Sequence, residues 1–131
     1  MILRLLLIVS AVASLLLAAG GQEPQYEMTT YVMGLFRKGP NWTAEETVET
    51  RRIQEGHLAN FRKMSEAGKL IVAGPFADGG ELRGVLIFKL SSVAEARALM
   101  DGDPAVKSGR LLIELHPWFA AAGLRVNPPK P

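Results

Sequence analysis

Two nearly uninterrupted apolar runs, divided by a glycine turn, limit this fold more than any other feature of the chain. They are Lys69-Leu-Ile-Val-Ala-Gly-Pro-Phe76 and Leu82-Arg-Gly-Val-Leu-Ile-Phe-Lys-Leu90, with Asp78-Gly79-Gly80 between them. Each is too short for a buried helix and carries β-branched and aromatic residues, so each is expected to be a strand. The intervening turn makes them an antiparallel hairpin. Strands apolar at nearly every position ask for burial on both faces of their sheet.

The flanking segments complete the pattern. Met28 to Phe36 is a β-branched and aromatic run and is expected to be the first strand. Arg37-Lys38-Gly39-Pro40-Asn41 is a loop by composition. Thr43 and Glu46 have capping-box spacing and are expected to open a helix. Val48, Ile53, Leu58, Phe61 and Met64 follow near helical spacing, with a bend or restart expected around Thr50 or Gly56. Gly68 is placed to end that helix. Ser92 and Glu95 form a second capping-box pattern, opening a helix through Met100 with Val93, Ala96, Leu99 and Met100 on its buried side. Asp101-Gly102-Asp103-Pro104 stops it, Ala105–Gly109 is a short turn or helical piece, and Arg110–Leu115 is the last strand. The resulting order, β-α-β-β-α-β, is the ferredoxin-like arrangement of an α+β fold with a four-stranded antiparallel sheet. Two helices cover one face of such a sheet. A second copy of the sheet is the simplest cover for the other, so a homodimer is expected.

The N-terminus has a different character. Met1–Arg4 is a minimal positive segment, Leu5–Leu17 is apolar except for Ser10 and Ser14, and Ala18-Ala19-Gly20-Gly21 is a run of small residues. The apolar stretch fits the ~7–15 residues of a signal-peptide core and falls short of the ~20 that span a bilayer. Residues 1–21 are therefore expected to be a signal peptide cut near Ala19–Gly21, and 22–27 a linker. The domain would occupy 28–119 and an unstructured, proline-ended tail 120–131. An uncleaved anchor is the competing account; both place the domain outside the cytoplasm, periplasmic or secreted. With no cysteine in 131 residues, a lipoprotein, a disulfide and a thiolate metal site are excluded. Arg4 is the only charged side chain before Glu23, so the rest of the chain holds fourteen Lys and Arg against thirteen Asp and Glu. That balance argues against nucleic acid as a partner, and against the membrane once the signal is removed.

Four motifs, in order, resemble the YCII-related (YciI-like) family of the dimeric α/β-barrel superfamily. They are His57-Leu58 with Phe61 and Glu66-Ala67-Gly68-Lys69-Leu70; Ala73-Gly74-Pro75-Phe76; Gly84-Val85-Leu86-Ile87-Phe88; and Asp103-Pro104 with Gly109 and Pro117-Trp118. The resemblance spans about Met28 to Trp118. It implies the ferredoxin-like fold, a dimer with sheets face to face, and a cleft holding a His–Asp pair, here His57 and Asp103. Relatives are mostly cytoplasmic, so the export signal departs from them.

Taken without the resemblance, His57 lies on the apolar stripe with Ile53 and Phe61 and fits a buried neutral imidazole. Asp103 before Pro104 fits a helix cap. Granted the resemblance, the pair implies general acid–base chemistry: Asp103 orients the ring through one nitrogen and the other moves a proton. With no cysteine and no convincing Ser or Thr nucleophile, a cofactor-free isomerase or lyase acting on a small molecule is favoured over acyl transfer. The alternative is a non-catalytic dimeric small-ligand-binding protein. No cofactor or metal is expected, since His57 and His116 stand alone. Tyr31 and Arg83 are weaker candidates for the cleft wall, His116 an edge or dimer contact, and Trp42 a dimer contact or a stacking ring.

Overall fold

The structure, a computed structural model, describes residues 25–126 together with Gly21 and Glu23. Residues 1–20 of the expected signal peptide and the last five residues lie outside these. The chain runs β1 (Met28–Lys38), α1 (Val48–Glu66), β2 (Leu70–Pro75), β3 (Leu82–Phe88), α2 (Val93–Asp101), α3 (Pro104–Lys107) and β4 (Leu111–Ala121). The strands form one antiparallel sheet in the order β2-β3-β1-β4. This is the expected ferredoxin-like α+β arrangement. Among the described residues no helix is long and apolar enough to cross a membrane.

Strand alternation assigns the faces. Val32, Gly34 and Phe36 of β1 stand opposite Phe88, Leu86 and Gly84 of β3 and Pro117, Leu115 and Ile113 of β4. Val32, Phe36, Leu86, Phe88 and Ile113 meet Ile53 and Met64 of α1 and Ala96 and Met100 of α2 in one buried core. The other face carries Met33, Leu35, Val72, Val85, Leu112 and Trp118, with Arg37, Glu114 and His116 among them on the β1–β4 side, and no helix covers it. On β2 and β3 this face is apolar, at Val72, Val85 and Ile87, as the two runs lead one to expect.

Helix boundaries follow capping chemistry. Gly68 (φ +72°) closes α1 as a Schellman turn, with the Lys69 amide on the Met64 carbonyl and the Gly68 amide on that of Ser65, both 2.9 Å. The start of α1 differs from expectation. Thr47, not Thr43, is the N-cap: its hydroxyl accepts from the Thr50 amide (3.1 Å), and the Thr50 hydroxyl accepts from the Thr47 amide (2.8 Å). Thr43 belongs instead to an extended arm, its carbonyl taken by Arg110 Nη1 at 2.7 Å and its hydroxyl by the Glu45 amide at 3.1 Å. The helix then runs unbroken through Thr50 and Gly56. Ser92 caps α2 as expected, accepting from the Glu95 amide, but the Glu95 carboxylate takes the Ser91 hydroxyl rather than closing the box.

The last strand is also longer than expected. Trp118–Ala121 pair with Met28–Tyr31, and the Ala122 amide reaches the Glu27 carbonyl. The segment 120–126 is therefore not simply the start of a free tail. Pro117 is tolerated inside this strand because β4 is at the sheet edge and partners β1 alone.

Candidate active site

His57 sits on the inward face of α1, 6% exposed, and Asp103 is fully buried at the start of α3. Forty-six residues separate them in sequence, yet His57 Nδ1 lies 2.8 Å from Asp103 Oδ1. Two contacts fix this approach. α1 packs on α3 at Gly56, where a Cβ would fall 2.8 Å from Pro104 Cγ; only glycine lets the helices come this close. Asp103 is also the N-cap of α3, its Oδ1 accepting from the Ala105 amide at 2.9 Å. The capping account and the partner account of Asp103 are thus both right: one oxygen serves both.

Oδ2 of Asp103 accepts from Asn60 Nδ2 at 2.9 Å. Asn60 was not singled out in the sequence. Its place three residues after His57, on the same helical face, was the available signal. Burial works to raise the Asp103 pKa. The hydrogen bonds from His57 and Asn60, the charge of His57 and the Ala105 amide outweigh it, holding the carboxyl below its ordinary value. Asp103 is therefore a carboxylate at neutral pH. A carboxylate only accepts, so Nδ1 of His57 must carry its proton toward Asp103, and Nε2 is the ring nitrogen left to exchange a proton with another partner. The imidazole is gripped by rings, its centroid 4.2 Å from that of Phe61 and 5.3 Å, edge-on, from that of Phe36.

His57 lines a cavity of about 310 Å³, near the lower end of small-molecule sites. Phe36, Leu58, Phe61, Ala73 and Leu111 give it apolar walls, and Trp42, Gln54, Arg83 and Arg110 give it a polar side. Arg83, a weak candidate in the sequence, is thus at the cavity, and Trp42 is in its wall. Arg110 was missed; nothing in its spacing marks it. The other candidates lie elsewhere. Tyr31 is buried at the far end of β1, its hydroxyl accepting from the Leu124 amide (3.2 Å) and donating to the Ala121 carbonyl (3.4 Å). Proposed for the cleft wall, it instead ties down the end of β4. His116 is exposed on the edge strand, 3.8 Å from Glu114. Among the described residues no three His, Cys, Asp or Glu side chains are grouped to hold a metal ion.

One similar solved structure is 5-chloro-2-hydroxyhydroquinone dehydrochlorinase (TftG) from Burkholderia phenoliruptrix AC1100, in complex with 2,5-dihydroxybenzoquinone. It is 20% identical, with a TM-score of 0.49, over 69% of this chain and 93% of that one. No curated protein matches the chain. The model of the YCII-related domain matches residues 32–118, well over half the length and including both His57 and Asp103, and the chain therefore belongs to the YCII-related domain family.

Proposed function

We propose that this protein is a small acid–base enzyme of isomerase or lyase type, in which His57 moves a proton within the cavity and Asp103 positions it. The observation that carries this is the buried pair itself: an imidazole lining a cavity, its Nδ1 committed to an ionised, fully enclosed carboxylate. The ring works through Nε2, the nitrogen not bound to Asp103. It accepts a proton from a substrate carbon or hydroxyl, and the imidazolium so formed is stabilised by Asp103. The same proton returns to another substrate atom in an isomerisation, or leaves with a departing group in an elimination, and Nε2 is again free. Asn60 holds the second carboxylate oxygen and keeps Asp103 from rotating away.

The reading extends to the rest of the chain. The first 21 residues are a cleaved export signal, so the enzyme works in the periplasm or outside the cell. The uncovered apolar sheet face pairs with that of a second copy, giving a homodimer.

Proton movement can be tested without knowing the substrate. The protein is incubated in deuterated water with a mixture of small carbonyl and hydroxylated compounds, and C–H signals are followed by NMR. The expected result is exchange at one or more compounds, slowed at least ~10²-fold in His57→Gln. Equal exchange by wild type and variant, or none by either, defeats the enzyme reading. A second reading, binding without chemistry, draws on the largely apolar walls; saturable binding with no exchange would favour it.

A further inference from the structure

The polar side of the cavity holds positive charge without a partner. The guanidinium carbons of Arg83 and Arg110 lie 4.6 and 4.5 Å from the centre of the Trp42 ring, and Lys38 Nζ lies 5.8 Å from it. The ion pairs among the described residues are Arg37–Glu114, Arg52–Glu49, His57–Asp103 and His116–Glu114. Arg83, Arg110 and Lys38 are in none of them. Glu45 and Glu46 line the neighbouring depression that shares Trp42, Arg83 and Arg110, but neither forms an ion pair with a guanidinium. Each guanidinium is anchored by one carbonyl, Arg83 Nη1 by Gly80 (3.3 Å) and Arg110 Nη1 by Thr43 (2.7 Å), and its other donors remain. Arg83 Nε is buried and has no hydrogen-bond acceptor at all.

Two cations held against one ring repel each other, and a buried donor without an acceptor is costly. Both costs disappear if an anion enters between the guanidiniums and the cavity. Arginine forks match planar oxyanions in two-point contacts. The opposite wall, Phe36, Leu58, Phe61 and Leu111, suits an apolar body.

Resting on the reading of this cavity as the site where His57 acts, we propose that its substrate is a small planar oxyanion with an apolar body, the anionic group held by Arg83 and Arg110 beside Trp42. Carboxylate, enolate and phenolate share this chemistry. In this role the two arginines are binding residues. They fix which end of the molecule faces Trp42 and therefore which end meets His57.

Benzoate and benzamide serve as probes, being matched in shape and different in charge; inorganic phosphate serves as an anion with no apolar body. Calorimetric titration of the purified protein is expected to show benzoate binding at least tenfold tighter than either. Added salt should weaken benzoate and leave benzamide unchanged. Arg83→Gln and Arg110→Gln should each lower benzoate affinity on the order of tenfold without altering benzamide binding. Arg83→Lys, which keeps the charge and loses the fork, should fall between. Equal affinity for benzoate and benzamide overturns the anion site, and phosphate binding as tight as benzoate overturns the apolar body. Proton exchange with no preference for benzoate would sink this proposal while sparing the acid–base reading. Benzoate preference with no exchange in any compound would sink the acid–base reading and leave the anion site standing.

Discussion

Replacing Asp103 by alanine tests the core of the site most directly, because one carboxylate holds three donors. Oδ1 takes His57 Nδ1 at 2.8 Å and the Ala105 amide at 2.9 Å, and Oδ2 takes Asn60 Nδ2 at 2.9 Å. Asp103 has no solvent exposure, so water does not dilute these contacts and cannot readily replace them. Leaving the buried donors of His57, Asn60 and Ala105 without their charged acceptor costs about 1–3 kcal/mol for each, at least about 3 kcal/mol together. Loss of the cap on α3, about 1 kcal/mol by itself, falls within that figure. Domains of this size are stable by about 5–15 kcal/mol, so Asp103→Ala should survive with little margin. Urea unfolding followed by circular dichroism at pH 7 reads the effect as a lower midpoint with an unchanged slope. A double-mutant cycle with His57→Ala isolates the pair, and the two costs should fall short of additivity by at least ~1 kcal/mol. A cost below about 1 kcal/mol for Asp103→Ala, or additive costs in the cycle, would refute the claim that this carboxylate holds the imidazole.

Other outcomes follow from the same contacts. Because its folded pKa lies below the unfolded ~3.9, ionised Asp103 contributes stability above that pH and loses it as pH falls through the folded value. The stability gap between wild type and Asp103→Asn should therefore shrink on acidification in urea titrations; a widening gap contradicts the assignment. Gly56→Ala gains about 1 kcal/mol in helix propensity, yet places a methyl 2.8 Å from Pro104 Cγ, an overpacking cost of about 1–3 kcal/mol. Net destabilisation in thermal unfolding, with slower proton exchange, is expected; a stabilised variant would show that α1 does not need to approach α3 so closely. Val72 and Leu112 on the uncovered sheet face are 38% and 51% exposed in the single chain. In the proposed homodimer, changing both to lysine should barely alter folding and should lower the light-scattering mass from dimer to monomer; a monomeric wild type, or an unchanged dimeric mass, would refute this interface.

The elements were legible because each is marked locally. The two apolar runs, the Gly68 stop and the Ser92 cap all act over a few residues, and the structure keeps them. Thr43 misled because Thr43-x-x-Glu46 and Thr47-x-x-Thr50 are both reasonable starts. A tertiary contact decides between them, with Arg110 drawing the Thr43 carbonyl into the extended arm beside Trp42. The length of β4 was hidden for a similar reason: Pro117 is a stop signal unless the strand is at an edge, and strand order is not local information. His57 and Asp103 could be named only through family resemblance, since nothing in their spacing brings residues 46 apart together. Asn60 was within reach of helical periodicity. Arg110 was not, because its role depends on which loop folds over it.

Sheet register ties these features to one another. Phe36, 5.3 Å from the His57 ring, faces the helices, while Leu35 and Arg37 face the uncovered side. A slip of one residue would exchange them, putting a leucine or an arginine beneath the imidazole and turning Phe36 outward. The ladder is irregular at this very step: Phe36 pairs with Gly84 and Arg37 with Leu82, so Arg83 is an extra residue without a partner on β1. Strict alternation would send the neighbour of inward-facing Gly84 to the opposite face. The bulge releases Arg83 from that rule, which is how one β3 residue can reach the cavity wall beside Trp42. Deleting Arg83 would restore a regular ladder and remove one guanidinium from the cavity in the same step. The resulting protein should fold, keep the Asp103–His57 pair and lose the preference for benzoate over benzamide. A deletion variant that retained that preference would show that the bulge does not aim the anion site.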